Sequence, residues 1–420
     1  MYLRCSDSAC ATTLDIHDRS LSCPRCGDLL EVDCIPRVAA PDAFRRLWQS
    51  RRGSPDPLDR SGIWRFREFL PQLYSPDLVV TLEEGNVPLL AAPRSAEYAG
   101  LKKLLFKHLG WNPTGSFKDT GMTVAITQAK YLGATLVACA STGNTAASVA
   151  AYAARARIPA RVYLPEGAIS PAKLAQSIDY GAEIVRVEGN FDRALEQLLR
   201  GAGPEVYFLN SINPFRVEGQ KIVILGLMEQ LDWNPPDYIV LPGGNLGNAS
   251  AFGKALQELK VTGLIDKVPR MVVVQAEGAN PFVRAWRAGG QKLDPIADPF
   301  TAASAIRIGA PRSWKKAMRA LHFTSGLTLD VSEAEIAEAK ATIGREGIGC
   351  EPASATTLAG IRKLIRQKML EPEAAVVAIL TGHVLKDTDY IIRSQDGAMA
   401  HLESQATGRT GDVSADHAEV

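Results

Sequence analysis

From about residue 79 onward, short apolar, β-branched runs alternate with longer stretches whose apolar residues recur at helical spacing. Leu104–His108, Leu136–Ala140, Ala160–Leu164, Glu183–Val187, Tyr238–Leu241, Met271–Ala276 and Ala375–Leu380 read as strands. Between them, Gly121–Tyr131, Thr145–Ala156, Pro171–Tyr180, Asn190–Leu199, Gly219–Leu231, Ala249–Glu258, Val331–Gly344 and Pro352–Gln367 read as helices. Such alternation implies an α/β fold built on parallel sheets. The first 78 residues differ. Two short strands, Met1–Cys10 and Cys23–Val32, flank a polar turn, and a basic helical stretch follows at Pro41–Arg52. A Gly/Pro/Asp-rich linker, Gly53–Arg60, then precedes Trp64–Leu73. The division expected is a Cys-rich segment over 1–34, a helical arm over 35–78, an α/β region over 79–400, and a disordered tail of small polar residues over 401–420.

Composition narrows the partners. Lys+Arg 47 against Asp+Glu 46 leaves a net charge of +1, which gives no electrostatic footprint for nucleic acid or an anionic membrane. Hydrophobic content of 46% and charged content of 22% fit a globular enzyme. No stretch reaches the roughly 20 apolar residues that cross a bilayer. Met1–Asp7 lacks an apolar signal core, so a cytoplasmic location is expected. Of seven cysteines, four fall in the first thirty positions, and an odd count in such a chain does not suggest a disulfide framework.

Chemistry concentrates at strand-to-helix junctions. Lys118 lies in Asn112-Pro-Thr-Gly-Ser-Phe-Lys-Asp-Thr-Gly121, with Phe117 beside it and Thr114 and Ser116 placed to satisfy free N–H groups at the helix start. A lysine that forms a Schiff base must be partly desolvated so that its neutral amine is accessible near pH 7. A surface lysine at a helix N-terminus is the plainer alternative, though the helix dipole disfavours a cation there. Two further junctions suit anions. In Ala140-Ser-Thr-Gly-Asn-Thr-Ala146, successive N–H groups and the hydroxyls of Ser141, Thr142 and Thr145 could hold a carboxylate, and Asn144 offers an amide to a ring hydroxyl. In Leu241-Pro-Gly-Gly-Asn-Leu-Gly-Asn248, the Gly and Asn residues tolerate positive φ and close approach to a phosphate. The latter fits neither the Walker A pattern nor the G-x-G-x-x-G fingerprint, so a different phosphorylated cofactor is implied. Ser/Thr-rich capping and a structural turn remain the respective alternatives. Thr381, at the end of the apolar run Ala374–Leu380, could meet a pyridine nitrogen, whereas His383, Lys386 and Asp387 read as a solvated helix start with a salt bridge.

In this order and spacing, these motifs resemble the β-family (fold-type II) of pyridoxal 5'-phosphate (PLP) enzymes, and within it threonine synthase. The likeness covers roughly residues 79–390, running also through Leu82–Leu90, Lys173–Gly189, Asn210–Gly226 and Glu351–Ala359. It implies a tryptophan synthase β-like fold of two α/β lobes with the cofactor between them. It implies Lys118 as the Schiff-base lysine, Asn144 on the ring hydroxyl, and Gly244, Asn245, Leu246, Gly247 and Asn248 around the cofactor phosphate. Thr381 takes the position that contacts the ring nitrogen, and Ser141, Thr142 and Thr145 form the substrate loop. Asn210-Ser-Ile-Asn-Pro-Phe-Arg216 resembles the synthase segment in which Asn210, Ser211 and Arg216 would hold the phosphate of O-phosphohomoserine. An Arg216–Glu218 pair is the structural alternative, and Lys221 offers a second cation nearby. Thr120 stands where many relatives carry Arg, Val87 where Thr is common, Val384 where Gly often lies, and Trp111 where a smaller apolar residue is usual.

The activity implied is conversion of O-phosphohomoserine and water to L-threonine and phosphate, in a homodimer by family likeness. Rival activities are a cysteate-synthase-like phosphoserine β-replacement, a serine/threonine dehydratase, and a non-catalytic regulatory homologue. Cys5-x4-Cys10 and Cys23-x2-Cys26 could hold one structural zinc by four thiolates, as in the Cys-rich ribbons of many relatives. A metal-free remnant of that ribbon is the alternative. A nucleic-acid-binding ribbon is disfavoured by the neutral charge balance.

Overall fold

The computed structural model describes residues 1–34, 40–71, 74–141, 143–165, 171–188, 203 and 206–392. The expected helix Asn190–Leu199 and the tail 401–420 lie outside them, as does Thr142. Met1–Lys386 form one unit. In the second, Asp387–Val420, residues 388–392 are helical.

Three sheets carry the first unit. Strands β1 (Tyr2–Cys5), β2 (Thr13–Leu14) and β3 (Leu30–Asp33) make a small antiparallel sheet ordered β2-β1-β3. The next strands are β4 (Leu89–Ala91), β5 (Leu104–His108), β6 (Leu136–Ala140), β7 (Ala160–Pro165), β8 (Glu183–Val187) and β9 (Val206–Phe208). The last are β10 (Tyr238–Pro242), β11 (Arg270–Ala276), β12 (Leu327–Val331) and β13 (Val376–Leu380). They form a six-stranded sheet, β12-β11-β10-β13-β5-β4, parallel except at the β4 edge, and a parallel four-stranded sheet, β8-β7-β6-β9. All five residues of β13 are buried, as a parallel strand covered by helices on both faces requires.

The expected strands of the α/β region recur within a residue at each end, whereas Met1–Cys10 and Cys23–Val32 shorten to β1 and β3, and β2, β4, β9 and β12 are additional. Two helices start earlier than their glycines suggested. The lysine helix spans Lys118–Tyr131, and the helix expected from Gly219 begins at Pro214, where Asn213 Oδ1 caps the Phe215 N–H at 3.0 Å. These two helices are buried on nearly every side and cross in close contact. A Cβ on Gly219 would lie 2.0 Å from the Thr120 carbonyl oxygen, and one on Gly121 would lie 2.7 Å from the Arg216 carbonyl oxygen. The small sheet packs near the far end of the lysine helix: Gln128 Nε2 donates to the Ile16 carbonyl at 3.3 Å, and His17 Nε2 meets the Tyr131 hydroxyl at 2.9 Å.

Parallel strands deliver their C-terminal ends to one side. Adjacent β5, β13 and β10 release the Lys118 loop, Thr381 and the Gly243–Leu246 turn along one sheet edge, and β6 releases Ser141–Asn144 from the other sheet. Gly219→Ala should therefore lower stability by about 1–3 kcal/mol through overpacking of this crossing. Gly226→Ala, on the same helix with nothing within 4 Å of its Cβ position, should be neutral or stabilising; chemical denaturation of both variants checks the contrast.

Candidate functional site

Lys118 opens its helix, with its N–H on Ser116 Oγ at 3.3 Å and its Nζ 4.0 Å from the Phe117 ring centroid. Ser116 thus serves the helix start as the sequence suggested. Thr114 does something else: its N–H and its hydroxyl both donate to Asp119, each at 2.7 Å. Ser148 Oγ donates to the same carboxylate at 2.7 Å, so Asp119 staples the lysine loop to the helix Asn144–Ala156. Burial outweighs these bonds and pushes the Asp119 carboxyl up to about 6.

The loop after β5 is also stitched to the chain after β13. Phe117 N–H donates to the Thr381 carbonyl at 2.9 Å, and His383 N–H donates to the Gly115 carbonyl at 2.9 Å. Lys386 is no solvated helix-start residue: it is half-buried and its Nζ donates to the Thr114 carbonyl at 3.1 Å and to Gln176 Oε1.

Burial, with the Arg216 cation adding to it, lowers the Lys118 ammonium to about 7, while Glu351 opposes the shift. Half of such an amine is neutral near pH 7, against about one part in a thousand or less for an ordinary lysine. Lys107 is lowered to about 7 as well, chiefly by burial. Its Nζ, however, is engaged by the Val87 carbonyl at 2.9 Å and Gln230 Oε1 at 2.6 Å, inside β5 and away from either anion loop.

Glu351 is the residue that sequence reasoning passed over. It is buried, and it accepts from Asn144 Nδ2 at 2.8 Å and from the Thr381 hydroxyl at 2.8 Å. The two side chains expected on a cofactor ring are thereby brought together through one carboxylate. Its only sequence signal was a carboxylate at the N-cap of a Pro-started helix, Pro352–Arg366, within the segment that carried the family likeness.

Both anion loops end in helices that lack a side-chain cap at their first turn. Gly143 precedes Asn144–Ala156, and Leu246 precedes Gly247–Val261. In the second loop it is Leu246, at φ 64°, that takes the left-handed conformation, not the Gly or Asn residues. A leucine held there carries backbone strain that the surrounding turn must offset. A Cβ on Gly244 would stand 3.2 Å from the Ala305 carbonyl oxygen, and Asn248 keeps a buried amide oxygen without a partner. Asn245 instead anchors the turn, its Oδ1 accepting from Arg312 N–H at 3.2 Å. In the first loop, Ser141 Oγ accepts from Gly143 N–H at 3.4 Å, and Thr145 is half-buried one residue into the helix.

Asn210 exchanges two hydrogen bonds with the Ala140 backbone, at 3.2 and 3.1 Å, joining its segment to the end of β6. Ser211 follows at a half-buried turn. Arg216 is buried, donates to the Leu209 carbonyl at 3.1 Å, and leaves its Nε without a partner. The Glu218 pairing proposed for it does not occur. Glu218 binds Lys221 at 2.7 Å and Lys254 at 2.5 Å, and Lys221 is closed off between Glu218 and Glu258. Lys221 therefore offers no second cation to a ligand. Trp111 is largely exposed at the end of β5, and Thr120 turns its hydroxyl onto the Phe117 carbonyl at 2.8 Å.

In the small sheet, the Sγ atoms of Cys5, Cys10, Cys23 and Cys26 all lie within 4.8 Å of one another. Cys5–Cys26 and Cys10–Cys23 separate by 3.4 and 3.7 Å. Tetrahedral zinc with bonds near 2.3 Å sets an edge of about 3.8 Å between thiolates, so the donor set fits such an ion.

Residues 80–382 match the family described as pyridoxal-phosphate dependent enzyme. The chain is 42% identical to the threonine synthase of Methanocaldococcus jannaschii, over 92% of its own length and 94% of that protein's. It is 46% identical to the threonine synthase of Methanosarcina acetivorans, over 79% and 81% respectively. Of solved structures, threonine synthase from Escherichia coli superposes with a TM-score of 0.69 at 17% identity, covering 93% of this chain and 90% of that one. Maize serine racemase gives 0.61 at 21% identity, over 76% and 94%. At those identities the two structures speak for the fold, an α/β arrangement of fold-type II. The uncapped helix start after Leu246, with its free N–H groups, and the desolvated Lys118 suit a phosphorylated aldehyde cofactor.

Reductive trapping of that aldehyde by the cofactor-free protein should rise with pH to half its maximum near 7. Arg216→Gln removes the cation that depresses Lys118, so its midpoint should move to higher pH; a midpoint unchanged or lowered would contradict the electrostatic account.

Proposed function

The chain belongs to the pyridoxal-phosphate dependent enzymes and to the threonine synthase family, and from that premise we propose that it converts O-phosphohomoserine and water to L-threonine and phosphate. The observation that carries the substrate is Arg216. A buried guanidinium with an unbonded Nε, and no carboxylate ion-paired to it among the described residues, calls for an anion. Its influence on Lys118 puts that anion within electrostatic reach of the reacting amine. A second phosphate, beyond that of the cofactor, supplies it.

In this reading Lys118, Asn144, Gly244–Asn248 and Thr381 hold the cofactor. The cofactor, when bound, supplies an electron sink for charge left at the substrate α-carbon. The rest falls to the chain. The neutral Nζ of Lys118 would remove the α-proton and then a β-proton, so that the γ-carbon–oxygen bond to phosphate breaks, and would return protons to the γ- and α-carbons as water adds at the β-carbon. The N–H groups and hydroxyls of Ser141, Thr142 and Thr145 fix the substrate carboxylate. Asn210, Ser211 and Arg216 receive the departing phosphate, with Arg216 matching two of its oxygens at once. Four thiolates in the 1–34 ribbon hold a structural zinc, residues 35–78 form an arm, and 79–400 make up the catalytic region. A cytoplasmic homodimer acting on a small phosphorylated amino acid, without nucleic acid or membrane, completes the proposal. Among the described residues, no helix is long and apolar enough to cross a membrane.

Phosphate release from O-phosphohomoserine and from phosphoserine decides the substrate. Release from the first with threonine formed is expected; release only from phosphoserine, or only ammonia and 2-oxobutyrate from threonine, would overturn it. Arg216→Ala should cut kcat/KM for O-phosphohomoserine by about 10²–10³-fold, or about 3–4 kcal/mol, and affect turnover of phosphate-free amino acids far less. Removing zinc with a chelator should lower the thermal midpoint, and Cys23→Ser should reproduce that loss.

A further inference from the structure

Glu351 joins the two side chains that the proposed reading puts at separate atoms of the cofactor ring, and the hydrogen count around it fixes which atom donates to which. Ser354 Oγ accepts the Thr381 N–H at 2.8 Å and the Gly382 N–H at 3.3 Å. With both lone pairs engaged, its single hydrogen goes to Thr381 Oγ1, 3.0 Å away. Thr381 has one hydrogen of its own. With Glu351 ionised, that hydrogen goes to Oε1 at 2.8 Å, while Oε2 takes a hydrogen from Asn144 at 2.8 Å. The result is a directed chain, Ser354 to Thr381 to Glu351, closed from the other side by Asn144. The carboxylate has little freedom to leave it: a Cβ on Gly382 would stand 2.4 Å from its carboxyl carbon, and Glu351 N–H is tied to the Gly382 carbonyl at 3.0 Å.

We propose that Glu351 is a positioning residue that sets the direction of the Thr381 hydroxyl, and through it the proton on the cofactor's ring nitrogen. The proposal rests on the reading that Thr381 meets that nitrogen. With Glu351 ionised, Thr381 has spent its hydrogen and can show the ring only a lone pair, which favours a protonated nitrogen. With a hydrogen on Glu351, or an amide in its place, the chain reverses at Thr381. The threonine then accepts from residue 351 and from Ser354 and gives its own hydrogen to the ring, which favours the unprotonated nitrogen. The nitrogen's charge governs how strongly the ring draws electrons, so a residue acting through Thr381 tunes the chemistry. The same carboxylate also fixes Asn144: one amide hydrogen is taken by Glu351, leaving the other for the ring oxygen.

The groups that bear on the Glu351 charge can be named from each neighbouring element. Burial pushes the carboxyl up, against the hydrogen bonds from Asn144 and Thr381 and the charges of Lys118 on the lysine helix and Lys386 after β13. Cys350 precedes it, buried and held as a thiol, and pairs across a bridge with His383, whose imidazole is lowered by burial and by Lys386. Asn144 and Thr381 are neutral.

The test is the ¹⁵N resonance of ring-labelled cofactor in resting holoenzyme, with Glu351→Gln and Thr381→Val compared with wild type. Glu351→Gln, of the same shape, is expected to move the resonance toward that of an unprotonated pyridine. Wild-type holoenzyme gives the same answer without substitution. As pH falls and Glu351 gains its proton, the resonance should move toward the unprotonated value, opposite to a free pyridine. A resonance moved by Thr381→Val but not by Glu351→Gln, or a wild-type titration in the ordinary direction, overturns the proposal. If neither variant moves it, the placement of Thr381 falls and the proposal with it. Lower thermal stability and weaker cofactor binding in Glu351→Gln, with the resonance unmoved, would mark a merely structural role.

Discussion

Phe117 N–H meets the Thr381 carbonyl, and His383 N–H returns to the Gly115 carbonyl, so the chain leaving β5 and the chain leaving β13 are held as one piece. Those strands are neighbours in a parallel sheet, and register between them sets the height at which each loop emerges. A slip of one residue would turn every β13 side chain to the opposite face and separate Thr381 from Lys118. Asp119 and Lys386 tighten the junction, the former by drawing Thr114 and Ser148 inward, the latter by holding the Thr114 carbonyl. The second sheet is brought in through Asn144, whose amide reaches Glu351, while Asn210 ties its own segment to the end of β6 within that sheet.

Charge within this frame is distributed by desolvation more than by pairing. Lys118 and Arg216 sit near enough to repel one another, and no carboxylate neutralises Arg216 among the described residues. Such an arrangement is unfavourable in an isolated protein and becomes favourable when anions arrive. A few residues away, Lys221 shows the opposite treatment. It is buried as completely but enclosed by Glu218 and Glu258, and burial with full pairing makes it a structural ion. The contrast separates a binding cation from a scaffolding one by partners, since exposure alone would not.

Much of this was legible in the sequence. The alternation of strands and helices gave the parallel sheets, and the junction motifs name loops that β5, β13 and β10 release along one sheet edge and β6 from the other sheet. What escaped has physical causes. β9 is only three residues long, and β12 was partly absorbed into the following helix although Ser332 and Glu335 form the capping box that marks its true start. The lysine and Pro214 helices were started late because glycine reads as a breaker, whereas here Gly121 and Gly219 serve a close crossing between helices. Glu351 escaped because its significance is relational: nothing in Cys350-Glu-Pro352 says that Asn144 and Thr381 converge on it. The pairing of Glu218 with Lys221 and Lys254, in place of Arg216, is likewise set by helix geometry and a third residue 36 positions away.

The crossing of the two buried helices has a consequence for how this sequence can vary. Most tight contacts in a protein interior can be repaired: a side chain that grows on one partner is answered by one that shrinks on the other. At Gly219 the opposing atoms are the Thr120 carbonyl and the Gly121 α-carbon; at Gly121 the nearest is the Arg216 carbonyl, with the Gln220 side chain behind it at 3.1 Å. Gln220 could be shortened, but the atoms that stand closest at both positions are main chain, and there is nothing in them to trim. Both glycines stand at the end of the size scale with main chain nearest across from them, and a second substitution cannot restore what a first one takes away at Gly219.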